Sequence, residues 1–127
     1  MSLARRPGQR HLASAALLAL LCTVAWGSLQ PGLAPPGHFH LDKLAHVGAF
    51  VAVSILAALA CRGTRHLAAA QLALAGFAAA IEIAQSATPG RQGSLLDWAA
   101  DLAGLALGVV LVQVVRRIVG AAAGIRF

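Results

Sequence analysis

The sequence predicts an all-α integral membrane protein, a four-helix bundle with both termini cytoplasmic, and three observations carry that prediction. Of 127 residues, 59% are apolar and 11% charged, with a mean hydropathy of +0.78. Polar side chains are too few to cover a globule of this size. Four apolar runs, each near the ~20 residues that cross a hydrocarbon core, are separated by short segments of proline, glycine or arginine. The basic residues then alternate in side. Arg5, Arg6 and Arg10, then Arg62 and Arg65, then Arg116, Arg117 and Arg126 fall on one side, and only Lys43 and Arg91 on the other. By the positive-inside rule the arginine-rich side, which holds both ends, is cytoplasmic. The chain reads as one multi-pass domain over residues 1–127.

The first span is expected at about 12–29. It starts like a signal peptide, but it is long for a cleaved segment and no clear small-x-small site closes it, so it is expected to be retained. Trp26, near its end, stands where an interfacial anchor belongs. Gln30 to His40 carries three prolines and two glycines and reads as an exposed connection. The second span is expected at about 44–61 with Asp42 as its N-cap, the carboxylate accepting free backbone N–H groups of the first turn. Arg62 to His66 makes a basic turn. The third span follows at about 67–85, Thr88-Pro89-Gly90 breaks the helix, and the fourth runs from about 95 to 115, ending at Arg116-Arg117.

A net charge of +6 would suit nucleic acid. The arginines instead lie at span ends and in short loops, where insertion topology puts them, so no nucleic-acid partner is expected. Cys22 and Cys61 fall within or near apolar runs and read as small hydrophobes rather than as a disulfide.

The informative stretch is Glu82 to Asp101, where three of the chain's four acids stand beside Arg91 between two apolar runs. Ionisable residues inside a membrane segment are presumed functional. Helical spacing groups them. Lys43, His46 and Phe50 lie at i, i+3 and i+7 on the second span; Glu82 and Gln85 at i, i+3 on the third; Asp97 and Asp101 at i, i+4 on the fourth, with Gly104 and Gly108 continuing that face. At ~1.5 Å per residue, His46, Glu82 and Asp101 all sit one to two turns below the outer boundary. Such a group suits acid–base chemistry, with His46, Glu82, Asp97 and Asp101 as candidate catalytic residues. Lys43, Gln85 and Arg91 are candidates to bind an anionic group. One histidine with scattered acids has no diagnostic metal spacing, so no metal ligands are assigned, and no cofactor is identified.

The segments D-K-L-A-H-V-G-A-F, E-I-A-Q and G-R-Q-G-S-L-L-D-W-A-A-D-L-A-G-L-A-L-G, spanning Asp42 to Gly108, resemble the VanZ-like family of small bacterial membrane proteins. The family pattern is D-K-x-x-H-x-x-x-F, then E-x-x-Q, an arginine loop, and D-x-x-x-N-x-x-G-x-x-x-G. The resemblance points to Asp42, Lys43, His46, Phe50, Glu82, Gln85, Arg91, Asp97, Gly104 and Gly108. The departure is Asp101, where the family usually has asparagine. What the resemblance implies is a place in the bacterial cytoplasmic (inner) membrane and a link to the cell envelope and to glycopeptide antibiotic resistance, the family being named from a protein associated with teicoplanin resistance.

Three functions follow as expectations. An outward-facing pocket between the second, third and fourth spans binds or processes an anionic envelope lipid or lipid-linked intermediate. Alternatively the chain is a non-enzymatic interaction module modulating an envelope protein, for which the small-residue face of Gly104 and Gly108 matters most, or a small proton-coupled carrier working as an oligomer; a homo-oligomer would form through that same Gly104 and Gly108 face. Plainer roles stand beside these. Ser94 and Asp97 fit a capping box, Gly104-x-x-x-Gly108 fits close helix packing, Lys43 and Arg91 fit snorkelling side chains, and His46, Glu82 and Asp101 fit an interhelical clamp.

Overall fold

The computed structural model describes residues 7–31 and 39–122. Arg5, Arg6 and Arg126, which entered the reading above, lie outside them. Among the described residues the fold is four helices and no strand: α1 (Pro7–Ser28), α2 (Phe39–Ala60), α3 (Thr64–Ser86) and α4 (Leu95–Ala122). All four are long and apolar enough to cross a membrane.

Each helix outruns its apolar stretch. Proline at Pro7 opens α1, where its missing N–H costs nothing because first-turn donors have no helical partner. α2 starts at Phe39, so the connecting segment is shorter than expected and Asp42 lies in the first turn instead of capping it. There the carboxylate still meets the positive end of the helix dipole. Gly63, at φ 86°, supplies the left-handed turn from which α3 starts. α4 continues past Arg116-Arg117 to Ala122. Arginine is a good helix former, and Arg116 turns its guanidinium to the Ala58 carbonyl of α2, Nη2 donating at 3.0 Å.

The four helices alternate in direction, so α2 and α4 run parallel, and this pair shares the most extensive interface. The seam is made by small residues. A Cβ on Gly104 would lie 2.5 Å from the Val47 carbonyl oxygen, and one on Gly108 2.5 Å from Ser54 Cβ. Only glycine permits this approach, which is how helices associate when lipid removes the hydrophobic drive between them. The Gly104–Gly108 face, expected between copies, is therefore covered by α2 of the same chain. Phe50, Val53, Ala57, Leu74, Ala78 and Leu105 form the core around it. Ser54 links three helices, its Oγ donating to the Leu105 carbonyl at 2.8 Å and accepting from Gln71 Nε2 at 2.9 Å.

Burial is inverted relative to a water-soluble fold. Leu12, Leu72, Ile83 and Leu95 are exposed, whereas Glu82, Gln85, Asp97 and Asp101 are buried. Large exposed apolar faces on α1, α3 and α4 suit a hydrocarbon solvent. Cys22 and Cys61 are free thiols, and Trp26 is exposed near the end of α1.

Candidate functional site

The alternation of helices brings the C-terminal ends of α1 and α3 and the N-terminal ends of α2 and α4 to one end of the bundle, and all four acids of the chain are there. Asp42 and Asp97 sit in the first turns of α2 and α4, where the dipole favours a carboxylate. The parallel pairing of these helices sets up two contacts in register. Lys43 Nζ donates to Asp97 Oδ1 at 2.8 Å. One turn deeper, His46 Nδ1 meets Asp101 Oδ1, also at 2.8 Å.

Glu82 comes from the opposite direction. It lies near the C-terminal end of α3, where its own helix dipole disfavours it, and its Oε2 accepts the Ser94 backbone N–H at 2.6 Å. The capping box anticipated at Ser94 is thus half formed. Ser94 Oγ accepts the Asp97 N–H at 3.3 Å, but the reciprocal bond goes to Glu82, and Asp97 is released to pair with Lys43. Gly93 makes this possible, because a Cβ there would overlap the Glu82 carbonyl oxygen and Ser86 Oγ.

Gln85 and Arg91 turn to α1. Gln85 Nε2 and Arg91 Nε both donate to the Ser28 carbonyl, at 2.9 and 2.8 Å, and Arg91 Nη2 donates to the Gly27 carbonyl at 3.3 Å. A guanidinium on the last carbonyls of a helix is favourable in both charge and hydrogen bonding. The partner was not legible from spacing, since the acceptors are backbone atoms at the end of α1. The only sequence trace is Gly27-Ser28 closing an apolar run.

One ring nitrogen of His46 and one carboxylate oxygen each of Glu82 and Asp101 lie within 4.8 Å of one another. The structure therefore assembles the three residues that shared a depth in the sequence. Their burial leaves two oxygens, Glu82 Oε1 and Asp101 Oδ2, inaccessible and without a hydrogen-bond partner. An orphaned buried acceptor costs ~1–3 kcal/mol, and more when charged.

Two clefts flank this group. One of about 220 Å³ is lined by Thr23, Val24, Gly27 and Ser28 of α1 with Asp42, His46, Phe50, Ile81 and Asp101 among others. α1, left out of the expected pocket, forms one wall. The other, of about 350 Å³, lies between α3 and α4 and is lined by Ala79, Glu82, Ile83, Ser86, Gly93, Ser94, Leu95 and Trp98. Glu82 is its only charged residue. Trp98 is held there by its indole N–H, which donates to the Ala75 carbonyl at 3.3 Å.

The VanZ/LLP1 family matches residues 9–116, which include every contact just described. The chain belongs to the VanZ/LLP1 family. No curated protein and no solved structure matches it. The VanZ/LLP1 match starts within α1, so it covers the helix whose carbonyls receive Gln85 and Arg91, a helix the sequence motifs did not reach. With four helices able to span a membrane, the chain is a VanZ-like multi-pass membrane protein.

Proposed function

We propose that this VanZ-like protein binds an anionic cell-envelope lipid or lipid-linked intermediate at the acidic end of the bundle and acts on its head group by proton transfer. The observation that carries the reading is the position of Glu82. It is the one charged wall of an apolar cleft between α3 and α4 and, at the same time, a member of the buried group with His46 and Asp101. An acyl chain in the cleft, against Ile83, Leu95 and Trp98, delivers its polar head to those three residues. Confining an acyl chain beside convergent polar groups is what a lipid site requires.

In this reading Lys43 and Arg91 hold the anionic group, and Gln85 keeps Arg91 in place through their common acceptor at Ser28. His46 and Glu82 exchange protons with the head group, Asp101 orients the imidazole, and Asp97 positions Lys43. In this reading both termini are cytoplasmic and the acidic end faces outward, the orientation that the arginine counts on the two sides favour. A link to glycopeptide resistance belongs to this proposal through the family. A homo-oligomer would use a face other than Gly104 and Gly108, which α2 covers.

The test is native mass spectrometry of the purified protein released from nanodiscs of mixed phosphatidylglycerol and phosphatidylethanolamine. Retention of phosphatidylglycerol by the wild type, lost in a Lys43→Ala, Arg91→Ala double variant and reduced by Leu95→Trp in the cleft, supports lipid binding. Equal retention by all three proteins contradicts it. The non-enzymatic module remains the second reading, favoured if the wild type and Glu82→Gln retain lipid equally and the wild type itself forms no product from it.

A further inference from the structure

All four carboxylates of a chain with net charge +6 collect at one end, against Lys43, Arg91 and His46. Lys43 is engaged by Asp97 and Arg91 by the α1 carbonyls. Among the described residues Glu82 receives no cation and Asp101 meets only the His46 imidazole; Asp101 is 1% exposed, and each keeps one buried oxygen without a hydrogen-bond partner. A buried, uncompensated carboxylate is costly enough that a proton or a cation must neutralise it.

We propose that His46, Glu82 and Asp101 form a binding site for one divalent first-row transition-metal ion, such as Mn²⁺ or Zn²⁺. The donor set of one imidazole and two carboxylates suits these ions. The Nδ1–Oδ1 separation of 2.8 Å between His46 and Asp101 is close to the ~3.0 Å edge spanned by two adjacent ligands ~2.1 Å from an ion. Two ligands of one ion stand at most ~4.2 Å apart at that radius. The three donor atoms lie within 4.8 Å of one another, so bringing them to the ~3.0 Å edge of adjacent ligands asks a closure of at most about 1.8 Å, within reach of side-chain rotation by Glu82. Binding exchanges a proton for the ion: the His46 imidazolium releases its Nδ1 proton to solvent, keeps the Nε2 proton, and presents the Nδ1 lone pair to the metal. Three protein ligands leave coordination positions open, the arrangement of ions that polarise a bound oxygen.

A second grouping, Asp42, His46 and Asp97, has donor atoms equally close. It is the weaker candidate because Asp97 already accepts from Lys43 and neither Asp42 nor Asp97 leaves a buried oxygen unpartnered. The inference rests on the proposed function only in sharing its site. A cation there also explains how an acidic centre meets an anionic head group.

The test uses full-length protein in detergent, stripped with chelator and titrated with Mn²⁺ or Zn²⁺ in the absence of lipid, so that its failure is separable from failure of the lipid reading. One tight ion per chain is expected, with the unfolding temperature raised by about 10 °C at 100-fold excess over Kd. Asp101→Asn and Glu82→Gln should each weaken binding by ~10-fold or more, and Asp42→Asn should leave it within about twofold. Folding of each variant is checked by its circular dichroism, and if one misfolds the other decides. Absence of a stoichiometric ion, or binding lost in Asp42→Asn and kept in Glu82→Gln and Asp101→Asn, overturns the proposal.

Discussion

The α2–α4 interface is built in two ways along its length. Towards one end, Gly104 and Gly108 let the helices touch at backbone distance, and Ser54 bridges to Leu105 and Gln71. Towards the other, Lys43–Asp97 and His46–Asp101 face each other across the same pair, and Glu82 enters from α3 with one oxygen unmatched. The first region closes on itself with small residues and one hydroxyl. The second concentrates charge within a span, where an idle acid costs ~2.5–3.5 kcal/mol at the helix centre on insertion scales and less toward the boundary. A membrane helix pair holds together without such groups, since polar contacts contribute only ~0.6 kcal/mol on average. The contrast teaches that packing belongs to the glycine seam, which leaves the acidic end available for the binding role proposed above.

The comparison is sharpened first at the seam. Gly104→Val drives a side chain into the Val47 backbone, which cannot give way, and should destabilise the protein by about 3 kcal/mol, read as a lowered unfolding temperature in detergent. If Gly104→Val unfolds no earlier than wild type, the seam does not hold the bundle and the division fails. Arg91 tests whether a charged residue at the acidic end has a purely structural share. Arg91→Ala removes one donor from each of two α1 carbonyls, leaving Gln85 on Ser28, and should cost about 1–2 kcal/mol, with faster amide exchange confined to the last turns of α1. Unchanged exchange there would mean that α1 is held by its apolar contacts alone.

Much of this was legible in the sequence. Four apolar runs give the four helices, and the shared depth of His46, Glu82 and Asp101 anticipates their meeting, because i, i+3 and i+4 spacing fixes which face each residue occupies. Helix ends were less legible: Pro7, Phe39 and Ala122 lie beyond the hydrophobic stretches, and periodicity says nothing where polar residues carry on a helix. The partners of Gln85, Arg91 and Trp98 were not legible at all, for they are carbonyls of Ser28, Gly27 and Ala75, and every residue has a carbonyl. Glu82 as acceptor for the Ser94 N–H was hidden for the same reason. Local pattern favoured the capping box within α4, and tertiary approach through Gly93 replaced half of it.

The most direct measurement is thermal unfolding, in chelator-treated detergent solution, of the wild type against Glu82→Gln and Asp101→Asn. Both substitutions keep an oxygen for Ser94 N–H and for His46 while removing a buried carboxylate. An unchanged or raised unfolding temperature is the expected result, since groups retained for function commonly cost stability. A fall comparable to that of Gly104→Val would show that the acids clamp the helices, and would contradict a binding role for the acidic end.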